Sequence, residues 1–191
     1  IIEKVLKHND NKNEARLITD KFYYNPKSIT CLLLPGSRES ELKYLLPEFI
    51  SIIRNTNPKF NKIKWIIPTT KFQFDEVTTK IKDYNTLNNT EVVVLEENYE
   101  LLKYADLAIA CSGTITLELV LFKIPTIVVY KSDFLSAFIG RLLVDFKNVL
   151  LPNFLLGKKS VPFLFQEKCN TFHISNLLIE FLDNIDKKKT I

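Results

Sequence analysis

Apolar residues recur along this chain in two alternating patterns. Runs of strand length stand at Ile29 to Leu34, Ile63 to Ile67, Glu91 to Leu95, Leu107 to Cys111 and Thr126 to Tyr130, with a weaker one at Asn148 to Leu151. Between them the period lengthens. Leu42, Leu45, Leu46, Phe49 and Ile53 follow the spacing of one helical face, and Pro47 is expected to kink that helix or restart its first turn. Phe72 to Lys82, Asn98 to Tyr104, Thr114 to Phe122, Phe134 to Val144 and Phe172 to Leu182 are the other helical candidates.

Strand runs that stay apolar at every position, rather than alternating, imply a sheet covered on both faces. Strand–helix–strand order implies crossover connections and parallel pairing. The fold class expected is therefore α/β, a doubly wound Rossmann-like parallel sheet. Such sheets bind ligands beyond the carboxyl ends of their strands, which directs attention to residues 35–38, 68–70, 112–114, 131–133 and 152–154.

Composition narrows the function classes. With 191 residues and 46% apolar content, the chain can bury a core of its own. A net charge of +4, with acidic residues interspersed among the 25% charged, gives little support for nucleic-acid binding. Cys31, Cys111 and Cys169 are odd in number and far apart, unlike a disulfide framework or a zinc-ligand set, so a reducing cytoplasm is expected. No histidine-rich or carboxylate-rich cluster suggests a metal. No apolar stretch reaches membrane-spanning length, and the first residues lack the pattern of a signal peptide. The chain contains no methionine and begins at Ile1, which is read as a piece of a longer protein.

Glycine is scarce, four residues where about 13 would be average, so each is expected to have a backbone task. Gly36 and Gly113 both fall where a strand gives way to a helix, a place where main-chain N–H groups can face an anion. Arg38 could clamp a phosphate bidentately. Equally, Gly36 could make a tight turn while Arg38 pairs with Glu39 or Glu41. In the second cluster, Ser112-Gly113-Thr114-Ile115-Thr116-Leu117-Glu118, Glu118 lies one helical turn after Thr114 and could accept from a ribose diol. The plain alternative makes Ser112 or Thr114 an N-cap and Glu118 a solvated helix residue. The third cluster, Leu151 to Gly157 followed by Val161-Pro162 and Phe165-Gln166-Glu167, reads as a loop in which Asn153 and Gln166 offer amide donors and acceptors beside apolar anchors, chemistry that can read a base or sugar edge and that more commonly satisfies backbone groups. Cys111 before a helix start is read as structural, since the two histidines, His8 and His173, are distant in sequence.

Taken together and in order, the segments LLLPGSRESELKYLLPEF, SGTITLE, IPTIVVYK and LPNFLLGKKSVPFLFQE resemble the C-terminal domain of the lipid-A-disaccharide synthase family, over about Cys31 to Cys169. The resemblance implies half of a two-Rossmann-domain (GT-B) glycosyltransferase. It implies an inverting hexosyltransferase that moves a 2,3-diacylglucosamine unit from its UDP derivative to 2,3-diacylglucosamine 1-phosphate (lipid X) in lipid A biosynthesis. On this reading residues 1–28 connect to a missing N-terminal acceptor and catalytic domain, and 29–191 form the nucleotide-sugar-binding domain. Carried over by position, Gly36, Ser37 and Arg38 would serve the diphosphate, and Ser112, Gly113 and Thr114 would supply donors near it. Glu118 would accept from the ribose, and Asn153 and Gln166 would contact the donor or a neighbouring loop. Departures from the family pattern occur at Phe163, Lys158 and Lys131.

Further expectations follow from the resemblance. The general base would reside in the missing domain, so this chain alone would be inactive. No cofactor and no metal would be needed, the UDP-sugar being a substrate. The partners would be the two lipid substrates and the chain's own N-terminal domain, at the cytoplasmic face of the inner membrane. The apolar stripe at 134–143, flanked by Lys131, Arg141 and Lys147, could touch that bilayer or pack against the sheet. Two other functions share the same site chemistry: a non-catalytic UDP-sugar-binding module, and another GT-B glycosyltransferase or epimerase.

Overall fold

The computed structural model describes residues 28–56, 63–88, 92–96, 99–133 and 161–189. Six strands form one parallel sheet: β1 (Ile29–Leu34), β2 (Ile63–Thr69), β3 (Val92–Glu96), β4 (Leu107–Cys111), β5 (Thr126–Tyr130) and β6 (Phe163–Phe165). Their spatial order is β3-β2-β1-β4-β5-β6, and all five pairings are parallel. The chain thus winds outward one way from β1 and then, from β4 onward, the other way. The reversal falls between β1 and β4, and a crevice opens there beyond the strand ends.

Consecutive side chains of each central strand enter different cores. Leu33 and Ile109 join one apolar cluster with Leu42, Leu46, Phe49 and Ile52 of α1 (Glu39–Asn55) and with Ile174, Leu178 and Leu182 of α4 (Thr171–Lys189). Leu32, Leu34, Ala108 and Ala110 face the opposite side, against Leu102 of the 3-10 helix Tyr99–Tyr104 and Leu119 of α3 (Ile115–Leu121). Burial on both faces is why the strands read as unbroken apolar runs. At the opposite end of the sheet Asp106 ties β1 to β4. Its carboxylate accepts from Thr30 N–H at 2.9 Å while its own N–H donates to Thr30 O at 3.0 Å.

Several boundaries differ from the sequence reading. Helix α1 begins at Glu39 and continues through Pro47, so that proline neither starts a first turn nor ends the helix. Leu42 and Leu45 before it and Phe49, Ile52 and Ile53 after it are all buried, and this burial outweighs the loss of one backbone hydrogen bond, about 3 kcal/mol. Helix α2 (Phe74–Asn88) starts two residues later than expected, and Tyr99–Tyr104 is a 3-10 rather than an α-helix. Strand β6 lies inside a stretch taken from sequence as loop, because three residues behind Pro162 carry too little period to register. The candidate strand at 148–151 and helix at 134–144 lie outside the described residues.

Candidate nucleotide-binding site

The first turn of the site follows β1. Gly36 sits at φ +99°, a conformation that a side chain disfavours, and a β-carbon there would overlap the carboxylate of Glu41. Arg38 then turns to extended backbone and caps α1, its carbonyl accepting from Leu42 N–H at 3.0 Å. Glu41, one turn into the helix, reaches back: Oε2 accepts from Arg38 N–H at 3.2 Å and Oε1 pairs with Arg38 Nη1 at 2.9 Å. The arginine side chain is 77% exposed and the glutamate 9%. The pairing of Arg38 with Glu41 and the placement of Arg38 at a cavity are thus both present.

The second turn follows β4. Ser112 N–H donates to Val129 O at 2.9 Å, which extends the β4–β5 ladder, and Ser112 lines the cavity. Gly113 O is held from within, by Thr116 Oγ1 at 2.7 Å and Thr116 N–H at 3.2 Å. Thr114 is the N-cap residue of α3, as the plain alternative has it, but makes no side-chain capping bond. Nor is Glu118 a solvated helix residue. It is 5% exposed and lines the cavity.

The two turns face each other across a cavity of about 530 Å³, a size suited to a small organic ligand. Seven of the nine residues singled out from sequence line it: Gly36, Ser37, Arg38, Ser112, Gly113, Thr114 and Glu118. Leu34, Pro68, Leu101, Leu102 and Ile115 supply its apolar wall. Leu101 and Leu102 enter the sequence reading only as members of the helical candidate Asn98 to Tyr104. Glu41 entered the sequence reading only as a partner for Arg38, although its spacing of three residues after the cap is the signal of a capping box.

Two residues stand elsewhere. Gln166 does not line this cavity. Its backbone lies at φ +49° and its amide engages Ser132, accepting from Ser132 N–H at 3.2 Å and donating to Ser132 O at 3.3 Å and Oγ at 3.0 Å. Asn153 falls outside the described residues, as does the 134–143 stripe. Lys131, just after β5, pairs with Glu48 of α1 at 2.6 Å, and Glu48 Oε2 accepts from Thr171 Oγ1 at 3.1 Å, which ties the exit of β5 and the start of α4 to the middle of α1.

The charge pattern of the cavity is mixed, with Arg38 opposed by Glu41 and Glu118 among its described lining. Cys111 at its edge holds a thiol pushed up to about 12, first by burial and then by the Glu41 carboxylate. Such a thiol stays protonated at neutral pH and is no nucleophile.

A doubly wound parallel sheet with opposed turns at its β1/β4 reversal defines a Rossmann-like α/β domain. The solved C-terminal domain of a group 1 family glycosyl transferase from Francisella tularensis shares the fold, with a TM-score of 0.52 at 14% identity over 90% of this chain and 83% of that one. The family model described as lipid-A-disaccharide synthetase matches residues 2–191. Lipid-A-disaccharide synthase of Sulfurihydrogenibium sp. (strain YO3AOP1) is 36% identical over 83% of this chain and 43% of its own length. That of Nitrosococcus oceani is 29% identical over 100% of this chain and 48% of its own. The chain belongs to the lipid-A-disaccharide synthase family, and it spans less than half the length of these relatives.

Proposed function

We propose that this chain is the donor-binding half of a lipid-A-disaccharide synthase and that its cavity holds the UDP portion of the donor. The observation that carries the reading is the convergence of two strand-end turns, 36–38 and 112–114, on one cavity at the sheet's reversal. The diphosphate lies between them, with Arg38 as the full positive charge and backbone N–H groups as further donors. Glu118, one turn deeper, accepts from the ribose hydroxyls. Asn153 belongs to the same donor site. Gln166 serves the neighbouring loop, through its contacts with Ser132.

In the reaction, the bond from the sugar's anomeric carbon to the diphosphate oxygen breaks, and an acceptor hydroxyl attacks the opposite face with inversion. Negative charge grows on the departing UDP, where fixed donors and a guanidinium stabilise it without a metal. The base that takes the acceptor's proton belongs to the other half of the enzyme. The substrates are UDP-2,3-diacylglucosamine and lipid X, met at the cytoplasmic face of the inner membrane. Among the described residues no helix is long and apolar enough to cross a bilayer, which is compatible with peripheral attachment.

The test is disaccharide synthesis from both lipid substrates in detergent. The chain joined to the remainder of a full-length synthase forms the tetraacyl disaccharide 1-phosphate, and the chain alone forms none. Turnover by the chain alone would overturn the half-enzyme reading.

A further inference from the structure

Glu41 is a carboxylate at the cavity wall that the reading above leaves without a task, although it is only 7% exposed. Placing an uncompensated negative charge beside a site for an anion opposes binding. Here the charge is compensated. Oε1 pairs with one guanidinium nitrogen of Arg38, and the rest of that exposed fork remains open to a ligand. The second oxygen makes the more informative contact. Oε2 accepts from Arg38 N–H and fills the space that a β-carbon at position 36 would take, so one side chain bonds one end of the Gly36–Arg38 turn and packs under the other.

We propose that Glu41 is a positioning residue for the phosphate-facing turn. Its acceptor oxygen on Arg38 N–H fixes the backbone of residues 36–38, and through it the direction of the groups that meet a nucleoside diphosphate. It does not itself touch the nucleotide. The inference rests on the reading of the cavity as a UDP site. What the turn requires of residue 41 is an acceptor at this reach, not a negative charge.

Two variants separate these requirements. Glu41→Met keeps the bulk and removes the acceptor; Glu41→Gln keeps an acceptor and removes the charge. In calorimetric titrations Glu41→Met loses UDP affinity by about tenfold, the order of one hydrogen-bond contribution, and retains its uridine affinity. Glu41→Gln binds UDP at least as tightly as the unsubstituted chain. Equal losses in Met and Gln variants, equal losses for UDP and uridine, or no loss in Glu41→Met would each overturn the proposal.

Amide hydrogen exchange without ligand supplies an independent arm. The Arg38 amide is protected in the unsubstituted chain and in Glu41→Gln, and exchanges faster in Glu41→Met. Should Glu41→Met fail to fold, the comparison with Glu41→Gln decides: retained protection supports the proposal and lost protection overturns it. If the unsubstituted chain binds no UDP, the nucleotide reading fails, while the exchange arm still reports whether Glu41 holds the turn.

Discussion

Gln166 grips Ser132 on both sides of its peptide, accepting from its N–H and donating to its carbonyl and hydroxyl across 34 residues of sequence. The contact binds the exit of β5 to the exit of β6 at the ligand-facing end of the sheet. It also maintains Gln166 at φ +49°, where a non-glycine side chain is strained.

Removing that grip therefore costs stability. Gln166→Ala is expected to lower unfolding stability by about 1–3 kcal/mol, since Ser132 N–H and O lose partners in a half-buried setting. Gln166→Glu can accept but not donate and should recover only part of the loss. Urea denaturation midpoints measure both, and an Ala variant as stable as the unsubstituted chain would contradict the assignment.

The two site glycines should behave oppositely. Gly36→Ala meets both a positive φ and the Glu41 carboxylate, and is expected to destabilise the chain by about 1–3 kcal/mol. A β-carbon on Gly113 meets nothing within 4 Å, so Gly113→Ala should leave stability within about 0.5 kcal/mol. That methyl nonetheless projects at the cavity lining, and UDP affinity should fall. Thermal melts with parallel UDP titrations check the pair; unchanged UDP affinity in Gly113→Ala would mean the phosphate does not approach residue 113.

All three thiols are buried, and burial pushes Cys111 and Cys169 up to about 12 and Cys31 upward as well. At pH 8 a thiol reagent should label the chain only as fast as it unfolds. The stability these groups contribute is fully present below the unfolded thiol value of about 8.5 and is lost as pH rises toward 12, because the unfolded chain releases those protons first. Cys111→Ala with Cys169→Ala should therefore flatten the decline of stability over that alkaline window. An unchanged slope in chemical denaturation across pH 9–11 would count against it.

Much of the fold was legible because burial on two faces leaves an unbroken apolar run. Strands β1, β4 and β5 match the expected ranges residue for residue, and β2 and β3 differ only at their ends. β6 was not legible, since Phe163–Phe165 gains its strand character only by pairing with Val128–Tyr130. The site was legible where turn chemistry is local, at Gly36 and at Ser112–Thr114. Glu41 was legible only as a neighbour in sequence, because its contact beneath Gly36 depends on a positive φ that the letters do not state. Gln166 was expected at the donor or a neighbouring loop, and among the described residues its amide meets Ser132, in the segment just after β5.

UDP held in the cavity between the two turns would place its diphosphate at Arg38 and its ribose at Glu118. Calorimetric titration of UDP and of uridine into Arg38→Ala and Glu118→Gln tests it most directly. Arg38→Ala should weaken UDP by about 1.5–3 kcal/mol, the range for a charge-assisted hydrogen bond, and leave uridine unaffected. Glu118→Gln should weaken both ligands alike, because both carry the ribose. Equal losses of UDP and uridine in Arg38→Ala, or no loss of either in Glu118→Gln, would contradict the placement of the nucleotide.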